Sequence, residues 1–109
     1  MRKLLMVVVA AALTASTAPA SAATRSCSDP DRFLQQLKTT NLGCATGRAV
    51  MFRWAKSSSC IAGGDGLLAD RARTCSVLGF RCVPAAAEGG VRVTCTSAEA
   101  RARFFDSQG

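Results

Sequence analysis

Cysteine is the residue type in this chain best suited to chemistry, and the sequence has six cysteines and no histidine. The cysteines are Cys27, Cys44, Cys60, Cys75, Cys82 and Cys95. A thiolate can bind a metal, attack a substrate or exchange with a disulfide. Without histidine, however, the chain lacks the commonest general base, the commonest metal ligand and the usual activator of a nucleophile. There is also no Cys-x-x-Cys pair, so the cysteines predict structural disulfides and neither a zinc site nor a redox centre.

The spacing of the cysteines favours some disulfides but leaves the pairing open. A turn centred on Glu88-Gly89 would place Cys82 opposite Cys95, with both side chains on the apolar face of a hairpin. Cys44 faces the same layer from a predicted helix, so a bridge from helix to sheet competes with that pair. A Cys60–Cys75 bridge would close a glycine-rich loop.

Paired carboxylates could supply an acid and a base for glycoside hydrolysis. The carboxylate residues are Asp29, Asp31, Asp65, Asp70, Glu88, Glu99 and Asp106. Each has a simple solvated role, and a nucleophile such as Ser58 would have no histidine base. The loop Gly63-Gly64-Asp65-Gly66 has neither the Gly-Lys-Ser/Thr ending of a phosphate loop nor the spaced carboxylates of a calcium loop. We therefore predict a protein that is not an enzyme, with no catalytic residue, no metal and no cofactor.

Arginines form the candidate binding site. If the hairpin cysteines point inward, Arg81 and Arg92 point outward on the same sheet. Arg101 and Arg103 join them if Phe104 faces the core. Four guanidinium groups on one face could hold carboxylates or phosphates through paired hydrogen bonds. The alternative is a solvated face that only confers solubility. Because aromatic residues do not interleave with the basic ones, we expect no specific nucleic-acid recognition.

The first 22 residues have the pattern of a signal peptide. Arg2 and Lys3 precede an apolar run, Leu4–Leu13, and Ala20-Ser21-Ala22 offers a cleavage site. The run is shorter than the roughly 20 residues that span a bilayer. We therefore predict a leader, residues 1–22, and one small disulfide-rich secreted, extracellular domain, residues 23–109, without a transmembrane segment. The chain has 14 basic and 7 acidic residues, and loses two of the basic residues with the leader.

A helix is predicted over Leu42–Lys56, with Asn41 as its N-cap. Its apolar stripe consists of Cys44, Gly47, Val50, Met51 and Trp54. These positions recur at helical spacing, so the only tryptophan is expected in the core rather than at a ligand platform. Leu67–Arg73 is predicted to form a short helical turn.

After Cys75 the apolar pattern changes to a period of two, which is typical of strands. The alternating residues are Leu78, Phe80 and Cys82 in one run and Val91, Val93 and Cys95 in the next. Pro84–Gly90 supplies the turn between them, and Arg101–Phe105 adds a further strand. Phe33–Thr40 fits a helical face slightly better than strand alternation. The predicted fold is α+β, with one main helix packed on a three- to four-stranded antiparallel sheet stapled by disulfides.

Several short strings resemble small secreted cysteine-containing domains of actinobacteria. They are Thr40–Val50 (TNLGCATGRAV), Gly79–Cys82 (GFRC), Gly90–Cys95 (GVRVTC) and Arg103-Phe104. In those domains a cysteine opens a helix and two later cysteines lie on a hairpin. The resemblance implies export and a strand before the helix. It implies no catalytic residue, because those domains have no assigned activity. Cys27 and Cys75 are additions to that pattern.

The leading functional interpretation is a secreted non-enzymatic binding module. Its partner is expected to be an anionic envelope polymer or a protein, including a protease that it inhibits. The alternative is a cationic antibacterial or toxin-like protein. Membrane-active chains usually carry an amphipathic basic helix, whereas Leu42–Lys56 has few cations, so this alternative ranks second.

Overall fold

In the part of the chain that the structure describes, a single antiparallel sheet of six strands forms the frame, with two helices beside it. The computed structural model describes residues 23–28 and 32–107, so the predicted signal peptide lies outside the described residues. The elements are β1 (Thr24–Ser26), β2 (Leu34–Thr40), α1 (Cys44–Lys56), α2 (Leu68–Arg71), β3 (Cys75–Val77), β4 (Phe80–Ala87), β5 (Gly90–Thr96) and β6 (Arg101–Asp106). The strand order is β1-β2-β6-β5-β4-β3. The α+β class agrees with the sequence, but the sheet is larger than the predicted three or four strands.

The two edge strands account for the difference. Strands β1 and β3 have three residues each, which is too short to show alternation. The run that seemed to begin at Leu78 is interrupted, because Leu78 and Gly79 form the turn between β3 and β4. Both have positive φ, at 51° and 83°, which is the geometry of a two-residue hairpin turn. Leu78 is therefore half exposed and does not lie on the inner face of a strand.

The β4–β5 hairpin turns at Glu88-Gly89 and pairs Cys82 with Cys95, as the sequence predicted. Its turn is shorter than the predicted Pro84–Gly90, because Pro84 lies inside β4. Strand β3 pairs only with Phe80–Cys82. Pro84 thus lies where one edge of β4 has no partner strand, and a missing N–H is tolerated at such an edge.

Helix α1 begins at Cys44 with Gly43 as its N-cap, so the predicted capping role of Asn41 is wrong. Asn41 has a φ of 55°, in the left-handed region that asparagine tolerates better than most residues. Its side-chain Nδ2 donates a hydrogen bond to the backbone oxygen of Glu99, 3.0 Å away. Asn41 therefore joins the end of β2 to the β5–β6 loop instead of capping the helix.

The core lies between α1 and one face of the sheet. Val50, Met51 and Trp54 have no exposed surface, so the predicted core position of the tryptophan is confirmed. The Trp54 ring meets Phe104 of β6 edge to face, with centroids 5.5 Å apart. Such aromatic pairs stabilise a fold beyond the area that they bury.

Three disulfides join all six cysteines, as expected from their number. The pairs are Cys27–Cys44, Cys60–Cys75 and Cys82–Cys95. The bridge from helix to hairpin that competed with Cys82–Cys95 does not form, because Cys44 pairs with Cys27. The first bridge ties the segment after β1 to the start of α1, and the second closes the loop between α1 and β3.

Candidate functional site on the outer face of the sheet

The sheet has one face packed against α1 and one face turned away from it, which we call the outer face. Leu37, Val93 and Phe104 are fully buried on the packed side. Because successive side chains of a strand point to opposite faces, their neighbours in sequence belong to the outer face. The side chains of the outer face are exposed or half-buried.

Strand register places all four predicted arginines on the outer face. Arg81 lies opposite Thr96, which lies opposite Arg101 on the next strand. Two residues along the strands, Arg103 lies opposite Thr94. Two residues further, Arg92 lies opposite Phe105. The structure therefore brings these arginines together, while their role in binding stays a prediction.

Lys38 is a fifth cation on this face, and the sequence analysis did not include it. It is exposed and lies directly opposite Arg103. It was missed because the segment that contains it fits helix slightly better than strand by periodicity. Strand alternation around the buried residues Leu37 and Thr39 would have placed it on the outer face.

No described acidic residue occupies a strand position on the outer face. Asp106 is buried on the packed side, so the solvated role predicted for it is wrong, and the other described acids lie in loops, turns or α2. Within the described part of the chain, the side chains of Lys38, Arg81, Arg101 and Arg103 form no hydrogen bond or ion pair. The positive charge of this face is therefore not balanced by neighbouring carboxylates.

The pair formed by Lys38 and Arg103 is the least favourable part of the face. Side chains directly opposite on antiparallel strands have Cβ atoms about 4.5–5.5 Å apart, and like charges at such positions are destabilising. An anion placed between two such cations converts their repulsion into two attractions. The free protein thus carries an unfavourable pair that a bound anion would relieve.

Arg92 differs from the other four cations because its guanidinium has side-chain contacts within the described part of the chain. It lies over the ring of Phe105, 5.4 Å from the centroid. Its Nη2 donates to Oε1 of Gln36 across a distance of 3.4 Å. These contacts restrict an arginine side chain that would otherwise sample many rotamers.

Hydroxyl groups fill many of the remaining outer positions. They belong to Thr24, Ser26, Thr40, Ser76, Thr94 and Thr96. The Oγ1 atoms of Thr24 and Thr40 lie 2.9 Å apart. Hydroxyls can donate to anionic oxygens and accept from arginine, so they complement the cations on a face that binds charged ligands.

Other parts of the molecule offer less chemistry. An apolar depression of about 220 Å³ lies near the β4–β5 turn, lined by Leu67, Ala69, Ala87, Gly89 and Gly90. Among residues 23–28 and 32–107, no three His, Cys, Asp or Glu side chains are grouped so that they could hold a metal ion. Within the same residues, no helix has the length and apolar character needed to cross a membrane.

No protein-family model, curated protein or solved structure matches this chain. The resemblance to small secreted actinobacterial domains therefore stays a prediction.

Proposed function

We propose that this protein is a secreted, non-enzymatic binding module whose outer sheet face holds an anionic polymer. The observation that carries the proposal is the cross-strand pair of Lys38 and Arg103 without a described acidic partner. A face that served only solubility would gain from interspersed acids, which remove such repulsion. A polymer with regularly spaced anions would neutralise the whole face at once.

The spread of the site over four strands favours a polymer over a compact ligand. The five cations are distributed over strands β2, β4, β5 and β6 and not around a cavity. Each exposed ion pair contributes little by itself, at most about 1 kcal/mol. Several contacts to one chain act together, because each contact raises the effective concentration of the next. Useful affinity therefore requires a ligand long enough to reach several cations.

Fewer structural observations support the alternative function, a cationic antibacterial protein. Membrane-active segments are amphipathic basic helices that lie in the lipid interface. In α1 the cations are Arg48, Arg53 and Lys56, and the apolar side of the helix is packed on the sheet. Arg48 also donates to the hydroxyl of Ser28, 2.9 Å away. No further observation favours a protein partner or protease inhibition over a polymer.

The proposal is tested by removing the charge of the face and comparing the loss with an equal loss elsewhere. In the face variant, Lys38, Arg81, Arg92, Arg101 and Arg103 are changed to Gln. In the control variant, the same change is made at the exposed residues Arg25, Arg32, Arg53, Lys56 and Arg73. Both variants lose four arginines and one lysine, so their net charges are equal.

Binding to long-chain polyphosphate and to polyglutamate is measured at physiological salt by fluorescence anisotropy. We expect the face variant to lose at least about tenfold in affinity, which corresponds to about 1.4 kcal/mol, and the control to lose much less. Equal losses in the two variants would show that only net charge matters and would overturn the proposal. Absence of binding by the unmodified protein would overturn it as well.

A further inference from the structure

We propose that Arg92, Thr94 and Arg103 form a subsite that selects phosphate groups, so that the polymer held by the outer face is a phosphate-bearing one. This inference rests on the proposed function and names the chemical class of its ligand. Its starting point is the constrained guanidinium of Arg92, which is unlike the unpartnered side chains of Arg81, Arg101 and Arg103.

An irregularity in β2 supplies the polar contact that holds Arg92. The pairing between β2 and β6 shifts between Gln35 and Lys38. Gln36 lies in this bulge with a φ of 58°, a conformation that is uncommon for residues other than glycine. Bulges re-aim side chains and are frequent beside binding sites. Here the extra residue provides the Oε1 atom that accepts from Arg92.

The ring of Phe105 supplies the second contact. It lies directly opposite Arg92 and beneath its guanidinium. A guanidinium in a cation–π contact with a ring keeps N–H groups that can still donate to an oxyanion. The ligand is thus recognised through its charge and its oxygens.

Two further donors lie next to Arg92. Thr94 is two residues along β5 on the same face and lies directly opposite Arg103. Arg103 is therefore the diagonal neighbour of Arg92, and such positions are about 7–8 Å apart, within reach of long side chains. A group bound among these three neighbouring positions would meet both guanidinium groups and the hydroxyl.

This triangle of donors fits phosphate better than carboxylate. A carboxylate has two oxygens in one plane, and a single arginine can satisfy both through its fork of donors. A phosphate group presents tetrahedrally arranged oxygens that can accept from donors in several directions. Two guanidinium groups and a hydroxyl around one point can all be used by a phosphate. Much of that donor set would remain unused with a carboxylate.

The test separates the planar donor arrangement of the Arg92 guanidinium from its positive charge. Arg92→Lys keeps the positive charge but removes the planar fork. Arg53→Lys makes the same replacement at an exposed arginine of α1, away from the outer face, and serves as the matched control. Thr94→Val removes the hydroxyl while keeping a β-branched side chain suited to a strand. Thermal unfolding first establishes which variants fold, and Thr94→Val keeps the test decisive if Arg92→Lys does not fold.

Affinities for polyphosphate and for polyglutamate of equal total charge are then compared at one salt concentration. We expect the unmodified protein to prefer polyphosphate by about tenfold, the effect of one strong charge-assisted contact. Arg92→Lys should lose most of this preference, Thr94→Val part of it, and Arg53→Lys none. Equal binding of both polymers by the unmodified protein, or an unchanged preference in both Arg92→Lys and Thr94→Val, would overturn the inference.

The two proposals fail in different ways. If the preference for phosphate is absent but the face variant still loses more affinity than its control, the outer face binds polyanions without the selective subsite. If the face variant binds as well as its control, the proposed function fails, and the subsite fails with it.

Discussion

Gly47 of α1 lies directly against Thr39 of β2, so closely that a Cβ atom on Gly47 would be 2.6 Å from the Thr39 methyl. Helix propensity alone disfavours glycine in the middle of a helix by about 1 kcal/mol relative to alanine. The structure gives the reason for its presence. Both residues are buried, and the absence of a side chain lets α1 approach the sheet.

Gly47→Ala should therefore destabilise the protein although it improves helix propensity. We expect a net loss of about 1–2 kcal/mol in the free energy of unfolding, because overpacking a tight core costs about 1–3 kcal/mol. Chemical denaturation of the oxidised protein measures it. Adding Thr39→Ser, which removes the interfering methyl, should recover part of the loss. If Gly47→Ala alone were more stable than the unmodified protein, the close approach of Gly47 to Thr39 would be contradicted.

Trp54→Ala should be among the most damaging single substitutions. The side chain has no exposed surface and packs against Phe104, so its removal should cost about 3–5 kcal/mol. Among residues 23–28 and 32–107 the buried Nε1 has no hydrogen-bond partner, so Trp54→Phe should cost clearly less than Trp54→Ala. Phe33→Ala is the comparison, because Phe33 is 40% exposed. Similar losses for Trp54→Ala and Phe33→Ala would contradict the core position of the tryptophan.

The disulfide pattern predicts which peptides stay linked after digestion and how much stability is lost when a bridge is removed. Digestion without reduction should yield peptides joined as Cys27–Cys44, Cys60–Cys75 and Cys82–Cys95, with no cysteine open to alkylation under denaturing conditions. Replacing Cys27 and Cys44 by Ser should lower the free energy of unfolding by about 2–5 kcal/mol, as is typical for small secreted domains. A different peptide map, or alkylation of the oxidised chain, would contradict the pattern.

Local pattern predicted the parts of this fold that local interactions determine. The stripe of α1, the burial of Trp54 and the register of Cys82 with Cys95 follow from spacing and turn chemistry. The edge strands were missed because three-residue segments carry no period. Lys38 could be assigned to the outer face only if the segment that contains it was known to be a strand, and periodicity slightly favoured a helix there.

The constrained arginine could not be predicted in the same way. Arg92 contacts Gln36, 56 positions earlier in the chain, and this contact depends on the bulge in β2. No local pattern in the sequence marks a bulge at a glutamine. The four arginines could be assigned to one face by alternation, but the difference between Arg92 and the other three arises only from tertiary contacts.

Binding of polyphosphate by the outer face should depend steeply on salt. A polyanion releases condensed counterions when cations of a protein neutralise it, so the logarithm of the affinity should fall linearly with the logarithm of the salt concentration. Removing one contacting cation should reduce that slope by about one. We therefore expect Arg101→Gln and Lys38→Gln each to give a shallower slope than the unmodified protein. Arg53→Gln, on the exposed side of α1, should leave the slope unchanged because that residue lies away from the outer face. If all three variants shifted the slope equally, the polymer would be responding to the charge of the whole molecule and not to contacts on this face.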